Sequence, residues 1–325
     1  VGGSSSTGGG TLFGDLIEKV YRRCMGGIRE RAVQLNGAIG SDDTSVVLQG
    51  LQTSGVAPGT TLGIELELLY VDTWDSGTLT AVVLRGYLGS TPSAHIDGTI
   101  TYINPRYSRY DIGVAINDDL RDLSAPDNGL FRVGVVPITF NPTYMGYDLG
   151  DVPANFLDII QLRFKEATPY KRFPRITNYE VLRNIPDAQF PSGQGLRINE
   201  DAWPGLPMYA TYTAPFVRLV DESDDVTNTP STNDTDPPFN GYSTMDVVNL
   251  PSTMVDIPPL GAEVDLTQPR EISRNFMDSQ PDPRKALEVV AGAVAASANT
   301  LMARRQRRIQ AEAGRLARQY RRRRW

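Results

Sequence analysis

The sequence predicts an α+β protein. Its helical core would consist of an N-terminal helix, a middle helix and a long C-terminal helix, carrying a β-hairpin unit and an inserted β-sandwich-like domain. Three observations predict this. Apolar residues recur at helical spacing in three separate stretches. Between the first two, a pair of runs alternates apolar and polar residues across a turn sequence. Between the second and third, short β-rich runs are punctuated by Gly and Pro. The boundaries expected are 1–10 for a flexible N-terminus, 11–129 for a helix, the hairpin unit and the middle helix, and 130–220 for the insertion. An acidic loop and extended strap would follow over 221–281, and a long basic helix over 282–325.

Residues 1–10, VGGSSSTGGG, have the composition of a flexible Gly/Ser segment. They lack the basic-then-apolar pattern of a signal peptide. Over 11–35, Leu12, Leu16, Ile17, Val20, Cys24, Ile28 and Val33 keep helical spacing. Thr11 suits an N-cap, and Asp15 and Glu18 suit the first turns. Gly26-Gly27 marks a break or kink. The opposite face carries Lys19, Arg22, Arg23, Arg29 and Arg31, either as a solvated face or as a contact for an acidic neighbour.

Residues 36–61 read as short strands and turns. Leu62, Ile64, Leu66, Leu68 and Tyr70 then alternate as one half-buried strand, and Leu79, Ala81 and Val83 repeat the pattern. Asp75-Ser76-Gly77 between them signals a hairpin. Arg85-Gly86-Tyr87-Leu88-Gly89 follows, with His95 and Gly98 beyond it. Its glycines predict a tight bend where a Cβ would clash. A short strand over 99–103 and an Asn104-Pro105 turn lead to a helix with Ile112, Ile116, Leu120 and Leu123 on one face.

Residues 130–220 read as mostly β, with aromatic and Thr enrichment near Met208-Tyr209-Ala210-Thr211-Tyr212 and a turn at Phe190-Pro191-Ser192-Gly193. Residues 221–240 form an acidic, Pro-containing stretch expected to be an exposed loop. Its Asp224-Asp225 pair lacks calcium-loop spacing. Over 241–283, Pro251, Pro258-Pro259, Pro269, Pro281 and Pro283 predict an extended strap packed along another subunit or domain. Asp282-Pro283 then reads as an N-cap and first helical residue. Leu287, Val290, Val294, Ala298, Leu301, Ile309, Leu316 and Tyr320 form a stripe along a helix that would run roughly 50–60 Å. Its far end would project, displaying Arg304, Arg305, Arg307, Arg308, Arg315 and Arg318, then Arg321, Arg322, Arg323 and Arg324, with Trp325 as a terminal anchor.

Composition narrows the chemistry. Net charge is −6, yet residues 284–325 carry twelve basic side chains against Glu288 and Glu312. An acidic body with a basic tail implies a charged partner for the tail. Cys24 is the only cysteine and His95 the only histidine, so no disulfide and no His/Cys metal cluster is expected. A protein assembled in a reducing compartment, or indifferent to redox, fits that usage. No run is apolar and long enough for a membrane span. There is no G-x-x-x-x-G-K-[ST] phosphate loop, and Gly193-Gln194-Gly195 lacks the third glycine of a dinucleotide site. No carboxylate pair stands out for glycoside chemistry. The chain is therefore expected to be no enzyme, with no cofactor, metal or catalytic residues, and His95 is expected to be structural.

One order of features goes further: a Glu-rich strand, a hairpin, Arg85-Gly86-Tyr87-Leu88-Gly89-Ser90, His95, Gly98, a strand, Asn104-Pro105 and a helix with Ile116-Asn117. It resembles virion structural proteins of tailed bacteriophages, most of all the neck proteins of the head-to-tail connector or adaptor family. Asp256-Ile257-Pro258-Pro259-Leu260-Gly261-Ala262, and Arg270-Glu271 with Arg274, are similar to the same family. The resemblance spans most of residues 12–320. It implies a structural protein of the virion neck, assembled in the host cytoplasm. About twelve copies would form a ring beneath the portal around the DNA channel, with C-terminal segments reaching into the portal ring. The partners implied are the portal protein, other neck and tail proteins, further copies of the chain and channel DNA, with no membrane. The β-rich insertion departs from simple adaptors and leaves the ring position open. Other readings are a tail terminator or baseplate component, a nucleic-acid-binding protein using the arginine-rich helix, and an enzyme acting on cell-wall glycans.

Overall fold

A computed structural model describes residues 13–141, 146–165, 173–186, 190–198, 208–219, 250–278 and 293–320. The expected helical core is not what forms. Among the described residues there are four helices and fourteen strands, and the first core is a closed, six-stranded antiparallel barrel. The chain divides into two compact units, one of residues 1–120 with 218–309, the other of 121–217 with 310–325.

The first unit begins with helix α1, Phe13–Met25. Phe13, Leu16, Ile17 and Val20 are buried at the spacing of one helix face. The helix stops where Gly26 and Gly27 both take left-handed backbone (φ 54° and 87°). The helical reading to residue 35 fails here: Ile28 is exposed, and Ala32–Leu35 is strand β1. Its alternating burial places Val33 and Leu35 inside the barrel.

Strands β2 (Ser45–Gln49), β3 (Thr61–Ile64), β4 (Glu67–Asp75), β5 (Thr80–Leu84) and β6 (Ile100–Ile103) complete the wall. Their order is β1-β2-β5-β4-β3-β6, and β1 closes the ring by pairing with both β2 and β6. The stretch read as one strand from Leu62 to Tyr70 is two. It reverses at Glu65, where φ is 50°, and Ile64 pairs with Glu67. The reversal changes the parity of the inward face: Leu62 and Ile64 point inward before it, Leu69 and Val71 after it.

Helix α2, Arg109–Leu123, is N-capped by Ser108, whose Oγ accepts from the Asp111 amide at 2.9 Å. Arg109 is sandwiched between the rings of Tyr21 and Tyr102, 3.9 Å from each centroid, and donates to Glu18 at 3.1 Å. That side chain ties α1, β6 and α2 together. Gly113 faces Phe13 and Ile17, so the absence of a side chain there brings α1 close.

The expected strap is also corrected within the described residues. Ile257–Asp278 is a helix, α3. Pro258-Pro259 occupies its first turn, where the missing amide donors have no helical acceptor to lose. The helix packs on α1, and Arg23 pairs with Glu263 at 2.6 Å. Gly261 lies so close to α2 that a Cβ there would sit 1.7 Å from Asp119 Oδ1. Helix α4, Ala293–Gln319, runs from the first unit into the second. The Gly/Ser N-terminus, the acidic loop of 221–240 and the start of the expected C-terminal helix, 282–292, lie outside the described residues.

The second unit contains two four-stranded sheets. One is ordered β11-β10-β14-β7, with β7 Arg132–Ile138, β10 Asp158–Phe164, β11 Arg175–Ile176 and β14 Met208–Ala214. The other is ordered β12-β13-β9-β8, with β8 Phe140–Asn141, β9 Gly146–Asp148, β12 Tyr179–Arg183 and β13 Gln194–Ile198. Residues from both sheets, among them Ile138, Tyr147, Leu162, Leu196 and Met208, share one core. Gly134 stands opposite Tyr212, whose ring occupies the space a Cβ would need.

Candidate functional site

Two features carry the polar chemistry of the first unit. One is buried in the barrel wall, the other displayed on α4.

The buried feature grows from the reversal at Glu65. Glu67 follows it with a side chain fully closed to solvent. An isolated carboxylate there would cost several kcal/mol, and four neighbours compensate it. Arg85, at the end of β5, donates from Nε and Nη2 to the two Glu67 oxygens at 2.6 and 2.7 Å. The amides of Gly86 and Ser93 donate at 3.3 and 3.2 Å, and His95 Nε2 lies 2.8 Å away. Arg85 also donates to the carbonyls of Gly40, Asp43 and Ser93. One guanidinium therefore fixes the loop before β2 and the loop after β5.

His95 is 3% exposed. Its Nδ1 meets Glu65 Oε2 at 2.9 Å, and Ser93 Oγ lies 3.3 Å from Nε2. Serine, histidine and carboxylate in that order outline an acyl-transfer triad. Glu67 defeats it. With a carboxylate on each ring nitrogen, both nitrogens donate and the imidazole has no lone pair for a hydroxyl proton. Burial pulls the His95 pKa down, but the bonds from Glu65 and Glu67 outweigh it and raise the value above 6.5. Burial likewise pushes Glu67 up, and the bonds from Arg85 and His95 overcome it, leaving the carboxyl at about 2. Two carboxylates, one guanidinium and one imidazolium balance.

Of the residues singled out in the turn motif, Arg85, Gly86 and His95 converge on Glu67. Gly86 is required twice over: its φ is 64°, and a Cβ would approach the Ser90 carbonyl oxygen to 2.8 Å. Gly89 (φ 84°) and Gly98 (φ 79°) turn the chain beyond it, and the Gly89 amide donates to the Gly86 carbonyl at 3.3 Å. Sequence reasoning missed Glu65 and Glu67. The signal was two acids inside an otherwise apolar run, upstream of a lone histidine and an arginine.

The α4 arginines separate into two sets. Arg305 pairs with Asp119 at 2.7 Å, Arg308 with Asp256 at 2.9 and 3.0 Å, and Arg315 with Glu312 at 2.7 Å. Arg308 also holds Asp256 below the usual carboxylate range. Arg304, Arg307 and Arg318 are exposed. At 100° per residue these three fall within about 60° of one another, away from the buried Ala298, Ile309 and Leu316. Arg321, Arg322, Arg323, Arg324 and Trp325 lie outside the described residues.

Among the described residues no group of three or more His, Cys, Asp or Glu side chains could hold a metal ion, and no helix is long and apolar enough to cross a membrane. No protein-family model matches the chain, and no curated protein matches it in sequence.

Proposed function

We propose that the chain is a structural virion protein of a tailed bacteriophage: a head-to-tail adaptor whose copies form a ring beneath the portal and dock through α4. The observation that carries this reading is the division of labour on that helix. Arg305 and Arg308 hold it to acids of its own unit, while Arg304, Arg307 and Arg318 face outward in one row. A helix pinned on one side and cationic on the other suits attachment to an acidic protein surface, where charge sets orientation and register. The His95 cluster supports a structural role, since its imidazole is spent on two carboxylates.

The test is to locate the chain in particles produced from the genome that encodes it. Antibody raised to the chain should label the head-to-tail junction, and cryo-electron microscopy should show a ring there. Labelling at the tail tip, or on no particle, overturns the reading. The same arginine row also favours contact with DNA phosphates. That reading expects salt-dependent DNA binding by the full chain, with a shallower salt slope for Arg304→Ala plus Arg307→Ala.

A further inference from the structure

The outer face of the barrel carries an apolar patch that the fold goes to some trouble to display. On β5, Val82 and Leu84 point away from the core, and Leu84 is 61% exposed. Tyr70 on β4 lies opposite Leu84, and its ring meets that of Tyr87 at a tilt of 38°, centroids 5.2 Å apart. Leu88, one residue on, is 65% exposed.

Leu88 is held there under strain. Its φ is 55°, in the left-handed region that a bulky side chain avoids. Gly86 and Gly89 on either side have positive φ as well. The loop is clamped from both ends: Arg85 by Glu67, and Ser90 by bonds from the Leu68 amide to its Oγ at 2.9 Å and from its Oγ to the Tyr87 carbonyl at 3.0 Å. A strained apolar side chain pushed into water by a rigid buried cluster is a feature that the folded monomer alone does not need.

The rim of the patch is acidic. Asp42 and Asp43 sit in the loop whose Gly40 and Asp43 carbonyls are held by Arg85, the residue after Leu84. Asp72 is the bulge residue of β4, next to Thr73, which pairs with Val82, and two residues beyond Tyr70. All three are exposed. Such a rim repels nucleic acid and anionic lipid and favours a cationic segment with an apolar or aromatic anchor. The chain carries one: Arg318 is exposed on α4, and the last five residues are Arg321, Arg322, Arg323, Arg324 and Trp325.

We propose that this acid-rimmed patch around Leu88 is an assembly surface that receives the arginine-rich C-terminal end, from Arg318 to Trp325, of a second copy of the chain. A patch on one copy that takes the tail of the next is a head-to-tail interface, which builds rings or open chains. Arginines would meet the rim acids, and the tryptophan would meet the Leu88 and tyrosine surface. This goes beyond the neck reading and does not rest on it, since it is tested on the purified chain alone.

The experiment compares the full chain with Leu88→Asn and with a chain ending at Tyr320, by sedimentation velocity over a range of concentrations. Asn accepts left-handed backbone, so Leu88→Asn should keep the fold, checked by circular dichroism and melting. The full chain should self-associate. Each variant should weaken association about tenfold or more, and the two changes together should be no worse than either alone, because they remove one contact. Asp42→Lys with Asp43→Lys should also weaken it, and adding Arg322→Glu with Arg323→Glu should restore it. A chain that stays monomeric, as it would if it bound its own tail, overturns the proposal. So does less than tenfold weakening by either variant, additive losses, or failure of the reversed charges to rescue.

Discussion

Glu67 gathers Arg85, His95 and the amides of Gly86 and Ser93 onto one buried carboxylate. Replacing it with Gln leaves Arg85 buried without its counter-charge and His95 with Glu65 as its one carboxylate partner, and loss of one member of such a buried pair costs about 3–5 kcal/mol. Urea unfolding of Glu67→Gln should show that loss. The cluster also gives stability a defined pH window. Glu67 is depressed to about 2 from 4.5, so its contribution is present above pH 4.5 and lost as pH falls toward 2. His95 is raised above 6.5, so its contribution is complete below 6.5 and lost as pH rises through the folded value. Stability from this cluster should therefore be greatest between about pH 4.5 and 6.5. In His95→Gln the decline on the alkaline side of that window should flatten in melting curves taken across pH. At Leu88 the strain has the opposite sign: Leu88→Asn should leave the monomer as stable or raise its melting temperature, since about 1 kcal/mol of left-handed backbone cost is removed.

At the scale of elements, two ion pairs pin α4 within the first unit, and they should not weigh equally. Asp119 and Arg305 are largely shielded, with side chains 5% and 16% exposed, whereas Asp256 and Arg308 are 39% and 34% exposed. Solvent screening holds the second pair to about 1 kcal/mol or less. Arg305→Ala should therefore destabilise more than Arg308→Ala in denaturant titrations, and a double-mutant cycle with Asp119→Asn should show coupling. Gly261→Ala should be more damaging than either, because its Cβ would overlap the Asp119 carboxylate. What could be read from sequence followed this scale. The β4–β5 hairpin and α2 were legible, because their signals are local: an Asp-Ser-Gly turn and apolar residues at helical spacing. The division of β3 from β4 was not, because alternation runs through Glu65 without a glycine to announce the turn. Helix α3 was hidden by its prolines, which read as extended chain unless they fall in a first turn. Barrel closure had no local signal at all, since β1 joins β6 across some seventy residues.

For the whole molecule, the sequence composition already separated an acidic body from a basic end. The barrel face, with exposed Asp42, Asp43 and Asp72 around apolar residues, and α4, with its outward arginines, give that separation a physical address. Association driven by such surfaces weakens as salt screens them, with a Debye length of about 8 Å at physiological ionic strength. Raising salt to about 1 M should shift the sedimenting species toward monomer while leaving the melting temperature of the barrel core nearly unchanged. A core that melts in step with dissociation would mean instead that folding and assembly are one process. The buried cluster was only half legible: the lone histidine and Arg85 drew notice, but their partner acids entered through a turn that the alternation concealed.

The closing position of β1 makes the barrel an unusual host for a borrowed strand. Remove residues up to Leu35, and the facing borders of β2 and β6 are left with unmet amides and carbonyls on both sides of one slot. A peptide of residues 13–35, carrying α1 as well as Ala32-Val33-Gln34-Leu35, would satisfy both borders at once, seating Val33 and Leu35 in the core and returning α1 to α3. The trimmed protein and that peptide should behave as a split pair, reconstituting a native circular dichroism spectrum on mixing, which would turn the seam of the barrel into a handle for labelling the protein at will.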